Sequence, residues 1–380
     1  MFSKLTPLAE TNIPPLLCAN AAGRLLHSDS RQIKQGDIFV ACQGEYTDGR
    51  SYIPAAIANG AAFVFWDDDG KFAWNPEWKV PNQGIKDLKH RAGMLAAQVY
   101  GNVSDGLKVW GVTGTNGKTS ITQWLAQAAD LLGEKTTIIG TVGNGFWSAL
   151  EETTHTTPAP VDVQTLLYRF RQQGATAAAM EVSSHGLDQS RVNGVPFRSA
   201  IFTNLTRDHL DYHGTMEAYG AIKSRLFYWH GLQHAIINVD DEYGAELAGR
   251  LKKDCPDLVV YGYGFSEHAD IRITDFTASS DGMEAVFQTP WGEGKCRTRL
   301  LGRFNAQNLA ACVALLCANG YPLKNVLEVL AKIRPASGRM DCIMNSGKPL
   351  VVVDYAHTPD ALEKALSTLQ EIKPQGAALW

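Results

Sequence analysis

The 380-residue sequence contains no run of 18 uninterrupted apolar residues, so it offers no transmembrane helix. Its first residues, Met1 to Glu10, hold no long apolar segment of the secretory type. No C-x-x-C pair occurs among Cys18, Cys42, Cys255, Cys296, Cys312, Cys317 and Cys342. An odd number of unpaired-looking cysteines argues against a disulfide framework and for reduced thiols in a cytoplasmic setting. Cys312 and Cys317 fall in an apolar helical pattern and read as core. Basic residues are not in excess. Lys+Arg 35 against Asp+Glu 39 gives a net charge of −4, which speaks against a nucleic-acid binder. There is no internal repeat and no low-complexity tract. What remains is 45% hydrophobic and 19% charged, the profile of a soluble globular protein with two or three domains.

Three textures follow one another along the chain. Residues 1–104 mix short strands, Asp37 to Ala41 and Ala62 to Trp66, with a helical stretch from Ile53 and a helix over about 85–100. A polar stretch, Asn102 to Gly106, reads as a linker. From 105 to 333 strands and helices alternate. Apolar runs predict strands at 107–112, 136–140, 177–182, 200–204 and 234–239, with helices at 118–132 and 161–173. The alternation predicts an α/β fold with a mostly parallel sheet, an antiparallel appendage over about 270–301 and two helices over about 305–332. Arg334 to Arg339 reads as a second linker. Residues 334–380 then hold one strand–helix unit, a buried strand at 349–354 and a helix at 359–372, and the start of another strand at Gly376 to Trp380. One such unit cannot make a core alone.

Local chemistry is densest at Val112-Thr113-Gly114-Thr115-Asn116-Gly117-Lys118-Thr119-Ser120, between a strand and a helix. Glycines permit a tight turn whose N–H groups face phosphate oxygens, and the helix N-terminus adds a favourable dipole. Lys118 supplies a point charge for the β/γ phosphates, and the Thr119 hydroxyl suits Mg²⁺. The match to G-x-x-x-x-G-K-[ST] is imperfect, because Val112 stands at the first glycine position. Glu181, late in its strand, is either a magnesium ligand or a capping or solvated acid. Asn204 to Gly214 follows the next strand and packs Asp208, His209, Asp211 and His213 into six residues. Without an H-E-x-x-H pattern a zinc protease is disfavoured, and the loop reads as lining a nucleotide site. His213 is equally a turn residue. Lys223, on a helix from 216 to 229, reads on sequence alone as a surface lysine.

Taken together, three long stretches resemble the Mur ligase family of ATP-dependent amide-forming enzymes. They are Met180 to Leu187, Thr203 to Gly214 and Val353 to Leu362, alongside the variant phosphate loop Thr113 to Thr119. The resemblance runs from about Ser28 onward. It implies an N-terminal mixed α/β UDP-binding domain, a central P-loop ATPase domain and the start of a Rossmann-like ligase domain. It implies ATP and Mg²⁺, an acyl phosphate formed on the D-Glu carboxylate of UDP-MurNAc-L-Ala-D-Glu, and attack by an amino acid's amine, in peptidoglycan precursor synthesis. The incoming amino acid expected is meso-diaminopimelate, with L-lysine as the alternative. A cytoplasmic monomer with no nucleic-acid or membrane partner is expected.

Residue by residue, the resemblance assigns Lys118 to the β/γ phosphates, with Gly114, Thr115, Asn116, Gly117, Thr119 and Ser120 around them. Thr119 and Glu181 would hold one Mg²⁺ and His209 a second. Lys223, in Ala221-Ile222-Lys223, matches the family's carbamylated lysine, which makes Lys118, His209 and Lys223 the expected catalytic set. Asn305 would contact the adenine side, and Arg339 and Asp354 would meet the nucleotide from the third domain. Ser28 and Ser30, in Ser28-Asp29-Ser30-Arg31, match the uridine-side turn. Glu45, Tyr46 and Thr47 sit in a matching frame but depart from the His-Gln-Ala found in enterobacterial relatives. Thr156, Thr157, Ser183, Gln189 and Arg191 match positions that hold the muramoyl-dipeptide; His155 replaces an expected asparagine and its role is open.

The family's marker for third-residue choice, Asp-Asn-Pro-Arg, is absent, so the chain reads as truncated and as either an active ligase or a binding-only fragment. A folylpolyglutamate-type synthetase would not explain the first 100 residues. A GTPase switch would want Asn-Lys-x-Asp, and no Asn-Lys dipeptide occurs.

Overall fold

The computed structural model describes residues 23–44, 47–102, 106–343, 349–373 and 378. Cys18, Glu45, Tyr46, the middle of the first linker and the expected strand beginning at Gly376 lie outside the described residues, apart from Ala378.

The first unit is a parallel sheet in the order β1 (Leu26–His27), β2 (Ile38–Ala41), β3 (Phe63–Asp67), β4 (Asn82–Ile85). Helix α1 (Ile53–Ala58) connects β2 to β3, and α2 (Leu88–Val99) follows β4. Because successive side chains leave opposite faces, β2 and β3 feed two cores. Ile38, Val40, Phe63 and Phe65 meet Leu88, Leu95 and Val99 of α2. Phe39, Ala41 and Val64 meet Ile53 and Ala56 of α1.

The central unit runs β5 (Lys108–Thr113), α3 (Lys118–Leu131), β6 (Thr136–Gly140), β7 (Gly143–Phe146), β8 (Ala149–Glu151), α4 (Pro160–Gln172) and β9 (Ala177–Glu181). It continues with α5 (Ser184–Asp188), β10 (Phe197–Phe202), α6 (Leu210–His213), α7 (Met216–Ser224), β11 (His234–Asn238), α8 (Glu242–Asp254) and β12 (Val259–Gly264). Strands β13 (Ile271–Ser279), β14 (Gly282–Thr289) and β15 (Gly292–Thr298) and helices α9 (Arg303–Ala318) and α10 (Leu323–Leu330) complete it. The sheet order is β15-β14-β13-β12-β11-β10-β5-β9-β6-β7-β8. Strands β12 through β6 are parallel, and antiparallel pairs extend both edges. After β5 the chain fills the β6–β9 side, then crosses to β10, β11 and β12. That reversal makes a topological switch point beside the C-terminal end of β5, where open α/β sheets bind ligands. Trp110 and Ile201 of the sheet share one core with Trp124 of α3 and Leu309 of α9 on one face. Val109, Leu167, Phe197 and Leu247 fill the other.

Units one and two are joined through α2 and α4. The Tyr100 hydroxyl accepts the Leu26 N–H at 2.8 Å and meets Thr165 Oγ1 at 2.9 Å. Its ring stacks on Tyr168 with centroids 4.5 Å apart. Gly93 of α2 leaves no room for a side chain, since a Cβ there would lie 2.2 Å from Asn193 O.

The last unit pairs β16 (Asp341–Ile343) antiparallel with β17 (Val351–Val353), followed by α11 (Pro359–Ile372). Met340, Ala365 and Ile372 pack on Leu301, with Phe304 and Ala278 beside them, so this unit uses central-unit residues for its core. The expectation of a buried strand near 349–354 is corrected. Val351 and Val353 are exposed, because β17 has a single partner strand among the described residues. No described helix is long and apolar enough to cross a membrane.

Tyr100→Phe should destabilise the junction by about 1–3 kcal/mol, because it leaves the buried Leu26 N–H without its acceptor. Denaturant unfolding of wild type and variant checks this; equal stability would mean the hydroxyl is dispensable.

Candidate nucleotide and substrate site

The loop from Thr113 to Lys118 is held in shape by the segment after β10. Thr115 N–H donates to Asn204 O at 2.9 Å, Asn116 N–H to Asn204 Oδ1 at 3.0 Å, and Thr206 N–H to Thr115 Oγ1 at 3.0 Å. Thr203 Oγ1 donates to Asn116 O at 2.6 Å. Gly114 adopts φ +140°, and a Cβ on it would sit 1.9 Å from Thr203 Oγ1. Gly117, at φ +89°, begins α3 without a side-chain cap. The first turn of that helix therefore keeps its N–H groups for an anion. Such a bare, tightly turned backbone fits a nucleotide's phosphates.

Two lysines converge on this loop. Lys118 Nζ donates to Gly114 O at 2.9 Å and Thr115 O at 2.8 Å. Lys223 Nζ donates to the same Gly114 O at 2.9 Å. Lys223 is 1% exposed, so the reading of α7 as presenting a surface lysine is corrected. The helix faces the loop with this residue, and it ends at Ser224 in a 3-10 turn over 225–228 rather than running to 229. Burial, with Lys118 adding, holds the Lys223 amine well below the usual lysine range. Burial also lowers Lys118, opposed by the charge of Glu181.

Glu181 ends β9 and is 1% exposed, which removes the solvated-acid reading. Its Oε2 accepts from Thr119 Oγ1 at 3.0 Å and Thr141 Oγ1 at 3.2 Å, and its Oε1 from Thr141 N–H at 2.8 Å. A buried carboxylate beside a threonine hydroxyl is a hard-oxygen set that suits Mg²⁺. His209 precedes α6 at φ +51°, with its Nε2 3.4 Å from Asp208 Oδ2 and its ring edge-on to His185 at 5.0 Å. Burial pushes the imidazoles of His185, His209 and His213 downward. His213 Nε2 lies 2.9 Å from Ser184 Oγ. Among the described residues no three His, Cys, Asp or Glu side chains gather into a metal cluster.

A cavity of about 320 Å³ lies between the central and last units. Ser120, Asn305, Arg339 and Asp354 line it together. Asn305 Nδ2 donates to Leu301 O at 2.7 Å, and its Oδ1 accepts from Asn308 at 3.1 Å. Arg339 Nη2 reaches Thr119 Oγ1 at 3.4 Å, and Asp354 Oδ2 accepts the Met340 N–H at 2.7 Å. Three acids at or beside this cavity were given no role from sequence: Asp240 and Asp241 in its lining, and Asp360 on neighbouring Asn116. Asp360 Oδ2 accepts from Asn116 Nδ2 at 3.3 Å, bridging the last unit to the phosphate loop. Asp240 accepts from Phe265 and Ser266 N–H at 2.8 Å and from Gln307 Nε2 at 2.6 Å. Only its place just beyond a predicted strand's C-terminal end marked Asp240.

A second cavity, of about 890 Å³, opens between the first sheet and α4. It brings together Ser28, His155, Gln189 and Arg191, and adds His27, Lys89, Asp162 and Arg169, which sequence reasoning missed. Ser30 and Thr47 are not part of this lining. Ser30 is buried in the turn capped by Asp29, and Thr47 is exposed with its carbonyl bonded to Gly44 N–H. Glu45 and Tyr46 lie outside the described residues. Arg191 Nη1 donates to Thr157 O at 2.8 Å, and its Nε and Nη2 grip Gln189 Oε1. Thr157 Oγ1 donates to Glu181 O at 2.9 Å and accepts Ser183 N–H at 3.0 Å. Ser183 Oγ caps α5 through Gly186 N–H, and Thr156 Oγ1 meets Thr141 Oγ1 at 3.0 Å. A continuous polar chain thus runs from the second cavity to Glu181.

Three family descriptions match this arrangement in order. They are "Mur ligase family, catalytic domain" over 24–100, "Mur ligase middle domain" over 112–316 and "Mur ligase, glutamate ligase domain" over 338–380. The chain belongs to the Mur ligase family. A curated relative from Neisseria meningitidis serogroup B, UDP-N-acetylmuramoyl-L-alanyl-D-glutamate--2,6-diaminopimelate ligase, is 93% identical over 380 residues, covering 100% of this chain and 77% of its own length. A solved structure of a ligase of that name superposes with TM-score 0.78 at 34% identity, over 92% of this chain and 70% of that one. The Thermotoga maritima MurF ligase in complex with ADP shares the fold, with TM-score 0.70 at 20% identity over 94% and 76%.

Gly114→Ala should weaken ATP binding by about ten- to a hundredfold, the cost of forcing a methyl group against Thr203. Calorimetric titration checks this; unchanged affinity would show that the loop can yield.

Proposed function

We propose that this chain performs the ATP-dependent joining of meso-diaminopimelate to UDP-MurNAc-L-Ala-D-Glu, a step of peptidoglycan precursor synthesis. The observation that carries the chemistry is the convergence of Lys118 and Lys223 on Gly114 O, beside a buried Glu181 bonded to Thr119. The choice of substrate is supported by 93% identity to a relative of that name. The stretches 1–104, 105–333 and 334–380 divide the work into UDP-sugar binding, nucleotide chemistry and part of the ligase domain.

A carboxylate is a poor electrophile, and its activation requires negative charge to be gathered and neutralised. Loop residues Gly114 to Ser120 would cradle the phosphates through backbone N–H groups, with Lys118 over the β/γ end. Thr119, Glu181, His209 and a carbamylated Lys223 would hold Mg²⁺, which when bound supplies charge neutralisation to phosphoryl and carboxylate oxygens. Asn305 faces the adenine side, while Arg339 and Asp354 approach from the last unit. Ser28 and Ser30, with Glu45, Tyr46 and Thr47, would serve the uridine side. His155, Thr156, Thr157, Ser183, Gln189 and Arg191 would serve the muramoyl-dipeptide. Of these, the guanidinium of Arg191 is pre-oriented by Gln189 and suits a carboxylate.

Desolvation in this buried place holds the Lys223 amine well below the usual lysine range, which favours the neutral, nucleophilic form. Its Nζ can then form an N–C bond with CO₂, with one proton passing to water. The product is an anion, which suits a metal-rich site where an ammonium would be repelled.

The test supplies ATP, Mg²⁺ and UDP-MurNAc-L-Ala-D-Glu with either diaminopimelate or L-lysine. Phosphate release stimulated by diaminopimelate is expected. Stimulation by lysine alone would change the amino acid, and stimulation by neither would refute the ligase. Lys223→Ala should lose activity, and added short carboxylic acids should restore part of it. Full activity in the unsupplemented variant would end the carbamate assignment.

A further inference from the structure

Tyr219 and Lys223 are four residues apart on α7 and therefore share one face. Lys223 Nζ lies 4.3 Å from the centroid of the Tyr219 ring. Both side chains are 1% exposed. The ring is no loose filler. His213 lies against it at 5.1 Å with an interplanar angle of 29°, and His209 meets it edge-on at 6.2 Å. The Tyr219 hydroxyl stands 3.4 Å from Thr115 Oγ1, which ties α7 to the phosphate loop. His213 is itself fixed by Ser184 at 2.9 Å.

We propose that Tyr219 is a positioning residue that sets the direction in which a carbamate on Lys223 presents its oxygens. The inference rests on the carbamylated-lysine reading above. When the Nζ lone pair attacks CO₂, an N–C bond forms, one C–O π bond opens onto oxygen, and a proton leaves nitrogen for water. The carbamate nitrogen keeps one N–H, so the bond to Gly114 O survives. Its two oxygens share a negative charge. An aromatic face carries the negative side of the ring quadrupole, and the Gly114 carbonyl oxygen is negative too. The oxygens turn from both. Lys118, which donates to the same carbonyl, draws them toward the phosphate loop. A side chain that only filled space would block water equally well but impose no such direction.

The test uses the 380-residue chain equilibrated with ¹³C-bicarbonate. A carbamate resonance abolished by Lys223→Ala reports this site. In the wild type, Mg²⁺ should lower the bicarbonate needed for half-occupancy by about tenfold, since correctly aimed oxygens are metal ligands. Tyr219→Phe, which keeps the ring, should retain that coupling. Tyr219→Leu should reduce it to less than about twofold while the melting temperature shows the protein folded. Should Tyr219→Leu fail to fold, Tyr219→Met provides the same comparison with a more adaptable side chain. A folded Leu or Met variant with wild-type coupling would overturn the proposal. A wild-type protein lacking the Lys223-dependent resonance would overturn it through its premise. The phosphate-release assay reads no carbamate and judges the ligase reading separately.

Discussion

The close approach of the phosphate loop to the segment after β10 is the constraint on which the site depends. Thr203 Oγ1 reaches Asn116 O at 2.6 Å, and there is no room for a Cβ on Gly114. Within the same turn the Gly114 carbonyl receives both Lys118 and Lys223. Asn116 also meets Asp360, and Thr119 lies within reach of Arg339. Parts of the chain more than 200 residues apart are thus registered on one turn of backbone.

Charge explains what such a turn is for. Two amines share one carbonyl oxygen in a largely desolvated place; burial lowers the proton affinity of both, and Lys118 lowers that of Lys223 further. Glu181 offsets part of that positive charge while committing its oxygens to Thr119 and Thr141. The arrangement suits added anions, which in the proposed reaction phosphate oxygens and an activated carboxylate would supply. The chain from Arg191 through Thr157 to Glu181 links this centre to the larger cavity beside the first sheet.

Legibility in the sequence followed the range of the signal. Strands β5, β9, β10 and β11 are apolar runs, and each was readable to within a few residues. Strand β1 is two residues long and β4 reads Asn-Gln-Gly-Ile, so neither carries a period or an apolar run. The phosphate loop was legible because its glycines, lysine and threonine are adjacent in the chain. Lys223 was not legible from spacing, since a lysine on a short helix looks solvated until the helix is seen to face the loop. Only the family resemblance singled it out. Asp360 and Asp240 gain meaning from partners far away in sequence, which no local pattern encodes. Exposure of Val351 and Val353 was missed for a related reason: an apolar run specifies a strand but not how many neighbours it has.

The central claim is that loop-held ATP activates the substrate's D-Glu carboxylate. Labelling both oxygens of that carboxylate with ¹⁸O and running the complete reaction tests it most directly. The account predicts one ¹⁸O atom in each inorganic phosphate released. Phosphate free of label, with the label kept in the amide product and residual substrate, would contradict it.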